Sequence, residues 1–289
     1  MFILVKRLSV YDFNPFSSSR VFGLPSPQAS CSLFHAIERN VNMRFPSARM
    51  KVNGVMIAYH NYQFGTGRAS AGARMIGNKI EALKNDVIDN CPSRVTMSFI
   101  VDVSFGSEIN EDDPFGDDVE QADVPSIIDH INRTLPRYRL SGGSFELNRR
   151  GTKAIPFSTL NECLAELKGG WFLKDRQDFF SSVTDDVNPL DILMDKAYPE
   201  IVVGEKFVRK PSYIPIHIGY VSISGAPVIR EGSRVSDDTG LPTPHVFAED
   251  VTSIGELVYH ADIENDHGSL FWKFALDMQK DGMFIVIAE

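Results

Sequence analysis

The sequence predicts an α+β protein: a ferredoxin-like, RNA-recognition-motif-like body over residues 1–153, with an elaborated mixed half over 154–289 packing on it. Three observations predict this. Strand-like alternation and helical periodicity follow one another as strand, helix, strand, strand, helix, strand across residues 1–150. A Gly- and Ala-rich stretch without apolar periodicity, about 61–92, breaks that order like an extension projecting from the body. An apolar content of 43% over 289 residues is ample for a buried core.

Each element has a local cause. FILVKRLS, residues 2–9, is apolar and partly alternating, and the turn-rich YDFNPFSSSR follows it. Ser26 and Pro27 stand where an N-cap and a first helical residue belong: the hydroxyl accepts an orphan N–H, and the proline gives up a donor that had no partner. Ala29, Leu33, Ile37 and Val41 then recur at four-residue steps, leaving His35, Glu38 and Arg39 on the flanks of the helix. Pro25 and Pro27 restrict how the chain enters that helix. In residues 50–64, Val55, Ile57 and Tyr59 alternate with Met56, Ala58 and His60 as a half-buried strand, and 94–105 reads as its neighbour. Between them the extension carries Arg68, Arg74, Lys79 and Lys84. After the acidic loop EINEDDPFGDDVEQAD comes a helix with Pro125 near its start and Ile127, Ile128, Ile131 and Leu135 inward. RLSGGSFELNRR is a strand interrupted by Gly142 and Gly143. Further on, 157–182, 187–198, 245–260 and 269–280 read as helices, and YIPIHIGYVSIS and the final MFIVIAE as strands.

Charge is divided unevenly. Residues 1–100 hold 12 Lys and Arg against 5 Asp and Glu, a net +7, while the remainder is −16 within a total of −9. A polyanion site in the first third and a protein-facing acidic remainder follow from that asymmetry. No apolar run approaches the roughly 20 residues of a membrane helix, and MFILV is too short for a secretory signal, so the expected address is cytoplasmic. The three cysteines have no partner at metal spacing and read as small buried hydrophobes. Seven histidines form no HxH or HExxH pattern, so neither a metal nor another cofactor is expected. GTGRASAG lacks the closing GKS or GKT of a nucleotide-binding loop, although its glycines allow close approach of a phosphodiester chain. An enzymatic alternative is a metal-independent endoribonuclease, with His35 or His60 as general base toward a ribose hydroxyl.

FGLPSPQASCSLFHAIER, residues 22–39, resembles the hallmark of the second Csy subunit family of type I-F CRISPR surveillance complexes, through Phe22, Gly23, Pro25, Pro27, His35, Ala36 and Arg39. VNGVMIAYH, YRLSGGS, SYIPIHIGY and SIGELVYH follow in the same order as similar segments of that family. The resemblance implies a thumb hairpin inserted after the strand ending near His60. It further implies a noncatalytic CRISPR RNA-binding subunit that caps the five-prime handle of the guide RNA. The implied partners are the large subunit, the adjacent backbone subunit and, in the assembled complex, target DNA, while a different subunit cuts the RNA. The residues expected at RNA are Ser17, Ser18, Arg20 and Phe22 before the helix, Arg39 on it, Arg68, Arg74 and Lys79 on the thumb, and Gly142, Gly143 and Arg149 on the glycine loop.

Overall fold

Among the described residues, thirteen strands and four α-helices follow one another in a mixed α+β arrangement dominated by one large antiparallel sheet. The computed structural model describes residues 1–65, 68–76, 79–106, 123–146, 153–181, 187–197, 213–224, 228–229, 235, 242, 245–263 and 267–288, with the side chains of 68–76, 79–90 and 280 outside that description. The strands are β1 Phe2–Phe13, β2 Lys51–Gln63, β3 Arg68–Ile76, β4 Lys79–Asn90, β5 Ser93–Ser104, β6 Arg139–Leu140, β7 Gly143–Glu146, β8 Ala154–Phe157, β9 Trp171–Asp175, β10 Tyr213–Ser222, β11 Ala248–Tyr259, β12 Phe271–Phe274 and β13 Met283–Ala288. The helices are α1 Pro27–Arg44, α2 Val124–Thr134, α3 Leu160–Leu167 and α4 Pro189–Ala197.

In the large sheet the order is β12-β13-β10-β11-β9-β2-β5-β1-β7-β6, with β8 beside β1 as well. The first-half strands therefore lie as β2-β5-β1-β7; α1 connects β1 to β2, and α2 connects β5 to the β6–β7 hairpin. β2 is the junction between the halves, because it pairs with β5 on one edge and with β9 and β12 on the other.

Both faces of the central strands are buried. On one face Ile3, Val5, Ile57, Phe99 and Val101 pack with Leu33, Phe34 and Ile37 of α1 and Ile127 and Ile131 of α2. On the other, Leu4, Met56 and Ile100 pack with Cys163 and Leu167 of α3 and with Phe172. Each such side chain contributes about 1.5–3 kcal/mol when fully buried. α1 starts as its sequence dictates: the Ser26 side chain accepts the Ala29 N–H at 3.1 Å, and Pro27 follows at the first helical position. The three cysteines are free and buried.

The extension is a hairpin. Among the described residues β3 and β4 pair only with each other, with a register shift between Ala71 and Ala73. Its foot is tied by Gly65 N–H to Ser93 Oγ (3.1 Å) and Cys91 Sγ to the Gly65 carbonyl (3.0 Å).

Three helix expectations are corrected. Among the described residues of the 157–182 segment only 160–167 are α-helical; Lys168, Gly169 and Gly170 all take positive φ and turn the chain into β9. Residues 248–259 form strand β11, held by β10 on one edge and β9 on the other. Val251, Ile254 and Val258 mimic helical spacing, but pairing on both edges and the β-branched content decide for a strand. Residues 271–274 are strand β12 and 276–281 a 3-10 turn; Trp272 is buried and donates its indole N–H to the Leu173 carbonyl at 3.0 Å.

Candidate nucleic-acid interface

The turn-rich segment after β1 folds back on itself. Ser17 N–H donates to the Val21 carbonyl (3.0 Å), Gly23 N–H to the Pro15 carbonyl (2.8 Å), and Phe16 bridges Phe22. That folding leaves aromatic rings outside: Phe16 is 43% and Phe22 47% exposed. Their rings stand 5.1 Å apart; Phe22 is 5.0 Å from Phe64, and Phe64 is 5.1 Å from Tyr62, itself 57% exposed. A run of four aromatics thus extends from the loop to the foot of the β3–β4 hairpin. Arg20, beside it in the chain, is exposed and takes no ion pair among the described residues. The rings meet edge-on or tilted, at 44–67°, and aromatic faces left free for bases beside a cation are the chemistry that holds single-stranded nucleic acid.

Ser17 and Ser18 are used by the fold. Ser17 Oγ lies 3.4 Å from the Leu24 carbonyl, and Ser18 Oγ accepts the Arg20 N–H. Their neighbour Ser19 gives both its N–H (3.1 Å) and its hydroxyl (2.9 Å) to Asp250 of β11. Burial pushes the Asp250 carboxyl up, but these donors, His217 and the Ser18 hydroxyl outweigh it, so the group is held below its ordinary value. His217, 1% exposed, has its Nε2 4.0 Å from Asp250, and among the described residues neither ring nitrogen meets a side-chain hydrogen-bond partner. An acidic residue of the second half therefore latches the loop.

Gly142 and Gly143 differ in role. Ser141 (φ 48°) and Gly142 (φ 80°) form the two-residue turn between β6 and β7, and a Cβ on Gly142 would point into open space. Gly143 is buried against β1: a Cβ there would meet the Phe13 Cβ and N and the Tyr11 carbonyl at 2.8 Å. The Ser141 carbonyl accepts the Asn14 N–H at 2.9 Å, so this turn abuts the start of the 14–25 loop. The structure brings Ser17, Ser18, Arg20, Phe22, Gly142 and Gly143 to one end of the sheet. Arg39 is exposed three turns into α1, away from that cluster. Arg68 and Arg74 lie on β3 and Lys79 on β4, with side chains outside the described residues; Arg149 and residues 108–122 of the acidic loop lie outside them altogether.

His35 and His60 sit on opposite faces of the sheet. His35 is exposed on α1, 3.9 Å from Glu38, at the edge of a groove of about 790 Å3 bounded by β2, β12 and residues 275–279. His60 lies on the α3 side, its Nε2 2.7 Å from Ser98 Oγ and its ring against Gly170. Burial, with the nearby Arg7 charge, lowers its pKa to about 4. Among the described residues no group of three or more His, Cys, Asp or Glu could hold a metal ion, and no helix is long and apolar enough to cross a membrane.

Phe16, Phe64 and Tyr62 are not singled out by the sequence. The only local signal is aromatic density at both ends of the loop and at the hairpin's base, and only the fold joins them. Compared with known families, residues 3–286 match the model for a CRISPR-associated protein, Cas_Csy2. No curated protein matches the chain.

Proposed function

From the premise that the chain belongs to the Cas_Csy2 family of CRISPR-associated proteins, and so is a subunit of a type I-F Csy complex, we propose that it is the noncatalytic subunit that grips the five-prime handle of the guide RNA. The observation that carries this reading is the run Phe16–Phe22–Phe64–Tyr62 at the hairpin's foot, exposed at Phe16, Phe22 and Tyr62 and half-buried at Phe64, with Arg20 beside it. Successive bases stack on such a run, and cations on the loop and hairpin meet the phosphates. The order β2-β5-β1-β7 under α1 and α2 supports reading the first half as a ferredoxin-like body, and β3–β4 as its thumb. The net +7 of residues 1–100 supports a polyanion there, and the −16 of the remainder supports docking on basic surfaces of the large subunit and adjacent backbone subunit. In the assembled particle, a cytoplasmic ribonucleoprotein, the grip holds the guide in place for pairing with target DNA.

A noncatalytic role is supported at His60, whose Nε2 is already engaged by the Ser98 hydroxyl at 2.7 Å. The test is to co-express the chain with a type I-F repeat RNA and the other subunits, purify through a tag on this chain, and sequence the bound RNA. Intact guides that begin with one fixed handle are the expected result. Absence of RNA, or fresh cleavage that depends on His35 or His60, overturns the reading.

A further inference from the structure

On the face opposite α1, the cover supplied by α3 ends at the level of Ser98, and the sheet beyond it is open. There the register sets Ser9, Thr96 and Asn61 side by side on β1, β5 and β2, and Gln63 opposite Arg94 in the next row. Tyr11 completes that row, with the Arg94 guanidinium 4.7 Å over its ring. Irregular backbone aims these side chains: β1 bulges on either side of Tyr11, with Arg7 (φ 51°) and Asp12 (φ 56°) in the left-handed region, and β2 bulges at His60. The Tyr11 hydroxyl donates to Glu146 at 2.6 Å, which fixes the ring beneath the guanidinium. Arg94 itself is exposed and takes no ion pair among the described residues.

We propose that this patch is a second subsite on the RNA-binding subunit, one that takes a single unpaired nucleobase. It rests on the reading of the chain as an RNA binder but lies on the other face of the sheet from α1. The exposed Arg94 guanidinium, its Cζ 4.7 Å over the Tyr11 ring, makes with that ring a cation–aromatic pair on which a base stacks. The amides of Asn61 and Gln63 each offer a donor and an acceptor, the pairing that a base edge requires. The hollow, about 130 Å3, is far smaller than the several hundred Å3 of a drug-sized site and suits one planar ring.

The test reconstitutes the full chain with the other complex subunits and a set of type I-F handle RNAs, each with one abasic nucleotide at a different position. RNA dissociation is followed for the wild type, R94A and R94K. The expected result is that both substitutions speed release by about 5- to 150-fold, the range of one stacked base, and that the difference vanishes for one abasic position only. Release equal to wild type on every RNA, rescue by R94K, or a loss that no abasic position abolishes overturns the subsite while leaving the RNA binder intact. Failure of the wild type to retain any RNA overturns both.

Discussion

His60 Nε2 stands 2.7 Å from the buried hydroxyl of Ser98, and that hydroxyl also accepts the Arg7 N–H at 2.8 Å. Two bulges on opposite sides of β5 thus share one atom. The arrangement that satisfies all three groups has Ser98 donating its proton to a neutral His60 ring. S98A removes the acceptor of a half-buried N–H and the donor to His60, and is expected to cost about 1–3 kcal/mol per stranded group, measured by urea unfolding. Unchanged stability would show that the bulges hold themselves.

The same pairing gives a pH dependence. His60 in the folded chain titrates near 4, below its ordinary value of 6.5, and burial lowers His217 as well. Between those values the unfolded chain binds more protons, so stability is full above about pH 6.5 and falls as pH drops toward 4. Unfolding free energies at pH 7 and pH 5 should show that fall, and H60Q should lessen it. Equal slopes in the two proteins would remove His60 from the account.

F22A is expected to weaken RNA retention by about 1–3 kcal/mol, the worth of one stacked base, with no change in secondary structure by circular dichroism. F16A should act in the same direction through its packing on Phe22. Full retention by the double variant would sink the stacking run.

Neutralising Arg68, Arg74 and Lys79 together should lower the salt slope of RNA binding by about 0.7 for each phosphate that no longer meets a cation. An unchanged slope would take the hairpin away from the RNA.

The two loop glycines should separate cleanly. G142A places a side chain at φ 80° in open space and should cost about 1 kcal/mol. G143A drives a methyl against Phe13 and the Tyr11 carbonyl and should cost more, read as a lower melting temperature. Equal costs would mean that β1 yields.

Much of the first half is legible because its signals are local. Ser26 and Pro27 start α1 where capping chemistry requires it, and Val55, Ile57 and Tyr59 share one face of β2, but Met56 and Ala58 on the other face are buried as well, so the strand is not the half-buried one that the alternation predicts. The second half is legible only in part. β10 and β13 read as strands on their own, but β11 and β12 become strands by pairing with partners far along the chain. The interface divides the same way: Phe22 lies in a recognisable motif, whereas Phe64, Tyr11 and Arg94 gain their meaning from register and bulges. Asp250, more than two hundred residues from Ser19, carries no local mark at all.

The position of β2 also bears on how the chain is made. Its outer edge is completed by Phe172 and Trp171 and then by Phe271 and Trp272, which leave the ribosome long after β2 itself. Until they arrive, an emerging chain displays the unpaired backbone of Val55–Tyr59, an apolar edge that invites pairing with other nascent chains. Folding dominated by such distant pairings is slow. Translation tempo and early chaperone capture, more than equilibrium stability, are then expected to set the yield of this subunit.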